Sequence, residues 1–152
     1  MTIRLQCVLF EPSSAELDRL LDSLLTLDVP EGIGLEIVLG DCTPSPEIGV
    51  QPWIERFDGR LRYEAFGANL GFGAGHNRLF LPSSADHLFL LNPDCLAPHH
   101  LVDRVWAAAG RRPDWGIVEV RQIPLEHPKN FDKSTFETSW ASGCCSLVNG
   151  EL

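Results

Sequence analysis

The chain has 152 residues, of which 44% are hydrophobic, 22% charged and 9% aromatic, a balance that fits one globular domain spanning 1–152 and excludes disordered and fibrous classes. With Lys+Arg 12 against Asp+Glu 21 the formal charge is -9, and the longest basic run is Arg111-Arg112, so no nucleic-acid partner is expected. No apolar stretch approaches the roughly 20 residues that span a bilayer, and Met1-Thr2-Ile3-Arg4 lacks the order of a signal peptide, which makes the cytoplasm the expected compartment.

Ile3 to Phe10 alternates and then runs apolar, which predicts a first strand stopped by Pro12. Ser13-Ser14-Ala15-Glu16 has the form of a capping box. Ahead of Leu17, Leu20, Leu21 and Leu24 at helical spacing, it predicts a helix from about Ser14 to Leu27. Pro30-Glu31-Gly32 breaks the chain before a second strand, Leu35 to Leu39, ending at Gly40-Asp41. Pro52 is placed to open a short helix holding Trp53, Ile54 and Phe57, and Leu61 to Phe66 alternates as a third strand. The glycine-rich Gly67 to Asn77 then runs into a helix through Leu79 and Phe80. His87 to Leu91 reads as a buried strand stopped by Asn92-Pro93-Asp94. Pro98 is expected to start a helix with an apolar face of Leu101, Val102, Val105, Trp106 and Ala109 and a cap at Gly110. Trp115 to Val120 is a further strand, Arg121 to Glu137 an aperiodic loop or lid, and Trp140 to Val148 a last apolar run. Alternating strands and helices of this kind predict a mostly parallel α/β sheet with ligands at the carboxyl ends of the strands.

Cys7, Cys42, Cys95, Cys144 and Cys145 form an odd set without Cys-x-x-Cys spacing, which argues against a disulfide framework and a structural zinc site. They read as reduced, mostly buried thiols, with Cys144-Cys145 as apolar filler in a strand ahead of a redox pair. His99-His100 reads as surface at a helix start, and His127 as a loop residue that is a candidate to reach a substrate. Neither a Gly-Lys-Ser/Thr phosphate loop nor a Gly-x-Ser-x-Gly elbow occurs.

Three polar clusters fall just past predicted strands: Asp41-Cys42-Thr43, Asn69 to Asn77, and Asn92-Pro93-Asp94. The glycine segment suits either a plain turn or a loop whose amides approach a phosphate at a helix N-terminus. Asp94 suits either a helix-capping turn or a carboxylate for a hard divalent cation, with Asn92 able to add an amide oxygen. Asp41 has the same two readings, a turn aspartate or an acceptor for a base or ribose group.

In this order, Asp41, Asn69-Leu70-Gly71-Phe72-Gly73-Ala74-Gly75-His76-Asn77, Leu90-Leu91-Asn92-Pro93-Asp94 and Trp140-Ala141-Ser142-Gly143 resemble the family 2 glycosyltransferases of bacteria, especially their rhamnosyltransferase-like branch. The resemblance runs from Ile3 to Val148. It implies a GT-A fold, a nucleotide-diphosphate-sugar donor such as a UDP- or dTDP-sugar, a divalent metal (Mg²⁺ or Mn²⁺), and inverting transfer to a saccharide or lipid-linked acceptor in surface polysaccharide synthesis. By the same resemblance Asp41 contacts the base, as do Phe10 and Glu11 by position, although neither matches a common residue there. Asn69, Gly71, Gly75, His76 and Asn77 line the nucleotide and diphosphate pocket, Asp94 holds the metal, and Ser142 and Gly143 face the sugar or acceptor.

Asn92 departs from the family's Asp-x-Asp motif, which implies a weaker or more hydrated metal site. Family members also continue into a Glu-Asp pair that supplies the general base, and no counterpart precedes Leu152. The chain is therefore expected to be the donor-binding part of such an enzyme, with its catalytic base unassigned, transferring sugar slowly because loss of a general base costs about 10²- to 10⁴-fold. A homo-oligomer and peripheral association with the inner face of a membrane through the acceptor are further expectations. Two other readings stay open: a non-catalytic nucleotide-sugar binding or assembly module, and a nucleotidyltransferase. The second lacks its basic loop, because Phe10-Glu11-Pro12 stands after the first strand.

Overall fold

The computed structural model describes residues 1–46, 48–124 and 128–151. In chain order the elements are β1 (Thr2–Leu9), α1 (Ser14–Leu25), β2 (Gly34–Asp41), α2 (Gln51–Arg56), β3 (Leu61–Ala65), α3 (Phe72–Phe80), β4 (His87–Leu91), α4 (Leu101–Ala109), β5 (Ile117–Glu119) and β6 (Cys145–Asn149). They build one six-stranded sheet in the order β3-β2-β1-β4-β6-β5. The first four in that order are parallel, whereas β6 runs antiparallel to both β4 and β5.

Alternation along β1 assigns its two faces. Ile3, Leu5, Cys7 and Leu9 point into the main core with Leu17, Leu20, Leu21 and Leu24 of α1 and Leu101, Val102 and Val105 of α4. Each such leucine, fully buried, contributes about 1.5–3 kcal/mol. Arg4, Gln6 and Val8 point to the opposite face, under α3. There Arg4 donates through Nη1 to the Leu79 carbonyl at 2.7 Å and pairs with Glu36 at 2.7 Å, so its buried guanidinium is partnered. A smaller core of Val38, Cys42, Phe66 and Leu79 completes that face.

The capping box forms as the sequence predicts: Ser13 Oγ accepts from the Glu16 amide and Glu16 Oε2 accepts from the Ser13 amide. Other boundaries move for local reasons. The Pro98 carbonyl accepts from the Leu101 amide, so Pro98 closes a turn before α4 and does not open the helix. Gly110 caps α4 with φ -64°, a right-handed conformation that does not need glycine. The last apolar run splits: residues 145–149 pair with β4, while 140–144 lie outside the strand and turn along the sheet edge.

No helix among the described residues is long and apolar enough to cross a membrane.

Candidate functional site

The sheet order reverses between β1 and β4, since β2 lies on one side of β1 and β4 on the other. The carboxyl ends of those strands open a crevice where ligands of α/β folds bind. Because β6 is antiparallel, the segment leading into it lies at that same edge: Leu91 pairs with Cys145, and the Asn92 amide donates to the Cys144 carbonyl at 2.7 Å. The Asn92-Pro93-Asp94 turn, closed by the Cys95 amide on the Asn92 carbonyl, thus meets Ser142, Gly143 and Cys144.

A cavity of about 440 Å³ lies there, lined by Phe72, Asn92, Asp94, Gln122, Ser142, Gly143 and Cys144. Four of the residues nominated from sequence, Asn92, Asp94, Ser142 and Gly143, therefore meet around one space. Asp94 is exposed at its rim. Ser142 Oγ accepts from Gln122 Nε2 at 3.2 Å and from the Cys144 amide at 3.1 Å, while its carbonyl accepts from Ser146 Oγ at 2.7 Å. Its hydroxyl therefore shapes the loop and retains its own proton to donate. Gln122, Phe72 and Cys144 are pocket residues that the sequence did not nominate. Gln122 sits in an aperiodic stretch, but Phe72 lies inside the glycine motif and was open to suspicion from its position alone.

Phe72 is also the first residue of α3. Gly71 turns the chain into that helix with φ 74°, a left-handed conformation that favours glycine, and the Gly71 amide donates to Asn69 Oδ1 at 2.9 Å. Asn69 is thus a loop-building residue. The first helical bond runs from the Gly75 amide to the Gly71 carbonyl, so the amides of residues 72–74 lie in the open first turn, at the positive end of the helix dipole beside the cavity.

The other glycine-motif residues serve packing or face solvent. A Cβ on Gly75 would stand 3.0 and 3.1 Å from the two γ-carbons of Val8, so this glycine lets α3 lie close on β1. Asn77 is exposed. His76 is buried at 3% exposure, and its ring meets that of Phe72 at 4.5 Å. The Gln6 amide satisfies its surroundings when it donates to the His76 carbonyl and Nδ1, each at 3.1 Å, and accepts from the Phe80 amide at 3.1 Å. Nδ1 is then the acceptor and Nε2 carries the proton, with no partner among the described residues. Burial holds the imidazole neutral, lowering its pKa to about 4.

Asp41 belongs to a second cluster, at the ends of β1, β2 and β3. It has no exposed surface, and its oxygens accept from Tyr63 Oη and the Thr43 amide, each at 2.8 Å. Thr43 Oγ1 accepts from the Glu11 amide at 2.8 Å, which ties the exposed Phe10-Glu11 corner to the same cluster. Burial and the Asp41 carboxylate together push the Tyr63 phenol well above its ordinary pKa.

His99 pairs with Asp28 on the surface, in agreement with its reading as a surface residue. His127 lies outside the described residues.

No protein-family model matches the sequence, and no curated protein sequence does. Solved structures do resemble it. A mannosyltransferase from Pyrobaculum calidifontis, PcManGT, in complex with GDP-Man and Mn²⁺, superposes over 98% of this chain and 44% of its own, with a TM-score of 0.68 and 15% identity. S. aureus TarS 1-349 superposes over 99% of this chain and 47% of its own, with a TM-score of 0.69 and 14% identity. The same protein in complex with UDP-GlcNAc covers 88% of this chain and 38% of its own, with a TM-score of 0.68 and 15% identity. The fold is that of the GT-A glycosyltransferases. The chain spans less than half the length of these structures.

Among the described residues no group of three or more His, Cys, Asp and Glu side chains is arranged to hold a metal. The donor set in the cavity, one exposed carboxylate at Asp94 and an amide at Asn92, would still suit a hard divalent cation such as Mg²⁺ or Mn²⁺ held in part by ligands other than the protein. It does not amount to an all-protein cage.

Proposed function

We propose that this chain is the donor-binding domain of a glycosyltransferase and binds a nucleotide-diphosphate sugar at the edge between β1, β4 and β6. The convergence of Asn92, Asp94, Ser142 and Gly143 on one polar cavity beside the N-terminus of α3 carries the reading. The solved structures with GDP-Man and with UDP-GlcNAc support it through the shared fold.

In this reading the open amides at the start of α3 and the rim of the cavity receive the diphosphate, where the helix dipole favours negative charge. Asp94, with Asn92, would hold a divalent metal, which when bound would supply neutralisation of the charge developing on the diphosphate leaving group. Ser142 and Gln122 face the sugar. The nucleoside extends toward the Glu11–Thr43–Asp41 cluster. Transfer proceeds with inversion to a saccharide or lipid-linked acceptor, as in the family 2 enzymes that the sequence resembles, within surface polysaccharide synthesis at the cytoplasmic face. The general base is unassigned.

Calorimetric titration of UDP, dTDP and GDP, with and without Mn²⁺, on the wild type and on Asp94→Ala tests the donor site. Metal-dependent binding that disappears in the variant is the expected result. A folded chain that binds none of the three overturns the proposal and favours a structural module on the same fold.

A further inference from the structure

Two sulfurs meet at the wall of this cavity. Cys95 Sγ lies 3.3 Å from Cys144 Sγ, although the residues are 49 apart in sequence. Two backbone contacts create the encounter: the Asn92 amide bonds the Cys144 carbonyl, and the turn closed by the Cys95 amide on Asn92 brings Cys95 back over the same segment. Neither thiol is buried in the core. Cys95 is half-buried beside Asp94, with its Sγ 3.9 Å from Asp94 Oδ1, and Cys144 lines the cavity. Cys145, by contrast, is buried in the main core with Cys7, so the adjacent pair Cys144-Cys145 is divided between the cavity and the interior.

We propose that Cys95 and Cys144 are a dithiol oxidised reversibly to a disulfide by a small peroxide, and that the bond, by tying the Asn92–Asp94 turn to the 142–144 segment, weakens donor binding. This last effect rests on the donor-site reading above. The chemistry balances in two steps. The Cys144 sulfur takes one oxygen of the peroxide; the O–O bond breaks, water leaves, and Cys144 becomes a sulfenic acid. The Cys95 sulfur then attacks Cys144 Sγ, the S–O bond breaks, and the oxygen departs as a second water carrying the Cys95 proton. Two thiols lose two electrons in all, and with hydrogen peroxide as the oxidant one peroxide becomes two waters.

The geometric consequence is local. A disulfide requires a separation of about 2.05 Å, so the two sulfurs close up from 3.3 Å and the bond fixes the Asn92–Asp94 turn to the 142–144 segment. Asp94 precedes one cysteine and Gly143 the other, and both line the cavity. Oxidation also removes the Cys95 thiol as a donor to its neighbours Asp94 Oδ1 at 3.9 Å and the Cys144 carbonyl at 4.0 Å. Position and solvation of the rim carboxylate change together.

The test treats the full chain with hydrogen peroxide, maps disulfides by peptide mass spectrometry, and titrates UDP with Mn²⁺ into the reduced, oxidised and dithiothreitol-treated protein. Cys95→Ser, Cys144→Ser and Cys145→Ser are run in parallel. The expected result is a cross-linked peptide joining Cys95 to Cys144, absent from the first two variants and present in the third. UDP affinity should fall about tenfold on oxidation, within the range of coupled sites, and return with dithiothreitol. A reduced protein that binds UDP but yields no Cys95–Cys144 cross-link overturns the inference and leaves the donor site standing. A cross-link without change in affinity overturns the coupling. A cross-link in a protein that binds none of UDP, dTDP and GDP overturns the donor reading and the coupling while upholding the dithiol.

Discussion

The phenol of Tyr63 donates to Oδ2 of Asp41 at 2.8 Å while the Thr43 amide donates to Oδ1 at 2.8 Å, so a carboxylate with no exposed surface has both oxygens satisfied by its own chain. A base can reach Asp41 only if this arrangement opens. Tyr63→Phe should cost about 1–3 kcal/mol in urea unfolding, because Oδ2 is left buried without its donor. An unchanged midpoint would show that the bond carries no net stability.

Tyr63 is the chain's only tyrosine, so its ionisation can be followed by absorbance without interference from another phenol. Burial and the Asp41 carboxylate both favour the protonated form, which raises the folded pKa above the ordinary value of about 10. A raised pKa of this kind gives stability that is present below pH 10 and lost as pH climbs through the folded value. The phenolate signal of the folded wild type should therefore appear at higher pH than in Asp41→Asn. Coincident titrations would mean that the carboxylate does not act on the phenol.

His76 gives the opposite dependence at acid pH. Its folded pKa is lowered from 6.5 to about 4 by burial, so the unfolded chain binds the proton more readily. Stability from the neutral ring is complete above pH 6.5 and is lost as pH falls toward 4, by roughly 3 kcal/mol on this one group. His76→Gln removes the titration. Unfolding midpoints measured between pH 7 and 4 should converge for wild type and variant as the acid limit is approached. Parallel curves would show that His76 is not the group responsible.

The sequence made the parallel part of the fold legible because each strand carries its own punctuation. His87–Leu91 was bounded by Asn92-Pro93 and α1 by the Ser13–Glu16 box, and both appear where those signals put them. The direction of β6 was not legible, because an apolar run reads alike in either direction, yet that direction is what carries Ser142–Cys144 to the cavity. Gln122 lay hidden in a segment without periodicity. The burial of His76 had a signal: Gly75, His76 and Leu79 share one face of α3 at helical spacing, and all three are buried. The same segment carries both the glycine spacing of a phosphate loop and that buried stripe, and the two patterns overlap.

Two glycines separate stability from binding. Alanine at Gly75 would place its Cβ 3.0 and 3.1 Å from the γ-carbons of a strand valine, so α3 or the valine must give by a few tenths of an ångström. Gly75→Ala should cost about 1–3 kcal/mol. Alanine at Gly143 meets the tip of the Phe72 ring at 3.0 and 3.1 Å, and that ring is half-exposed, so it has room to yield toward solvent. Gly143→Ala should leave the thermal midpoint within a few degrees of wild type and alter donor affinity instead. Equal destabilisation by both would show that Phe72 is held as firmly as Val8.

Phe72 itself tests whether the cavity takes a sugar. Its ring is 48% exposed, places its tip 3.0 Å from where a Cβ on Gly143 would stand, and lines the cavity with Asn92, Asp94, Gln122 and Ser142. An exposed aromatic ring within a rim of hydrogen-bonding groups suits the apolar C–H face of a pyranose while the rim takes its hydroxyls. Phe72→Leu keeps apolar cover over His76 but removes the ring. It should leave the affinity for UDP unchanged and weaken a UDP-sugar about fivefold, close to the 1 kcal/mol typical of an aromatic contact. The comparison is internal to one variant, since both ligands share the nucleotide and the metal. An equal loss for UDP and UDP-sugar would assign Phe72 to the diphosphate or to support of α3, and would move the sugar elsewhere along the edge.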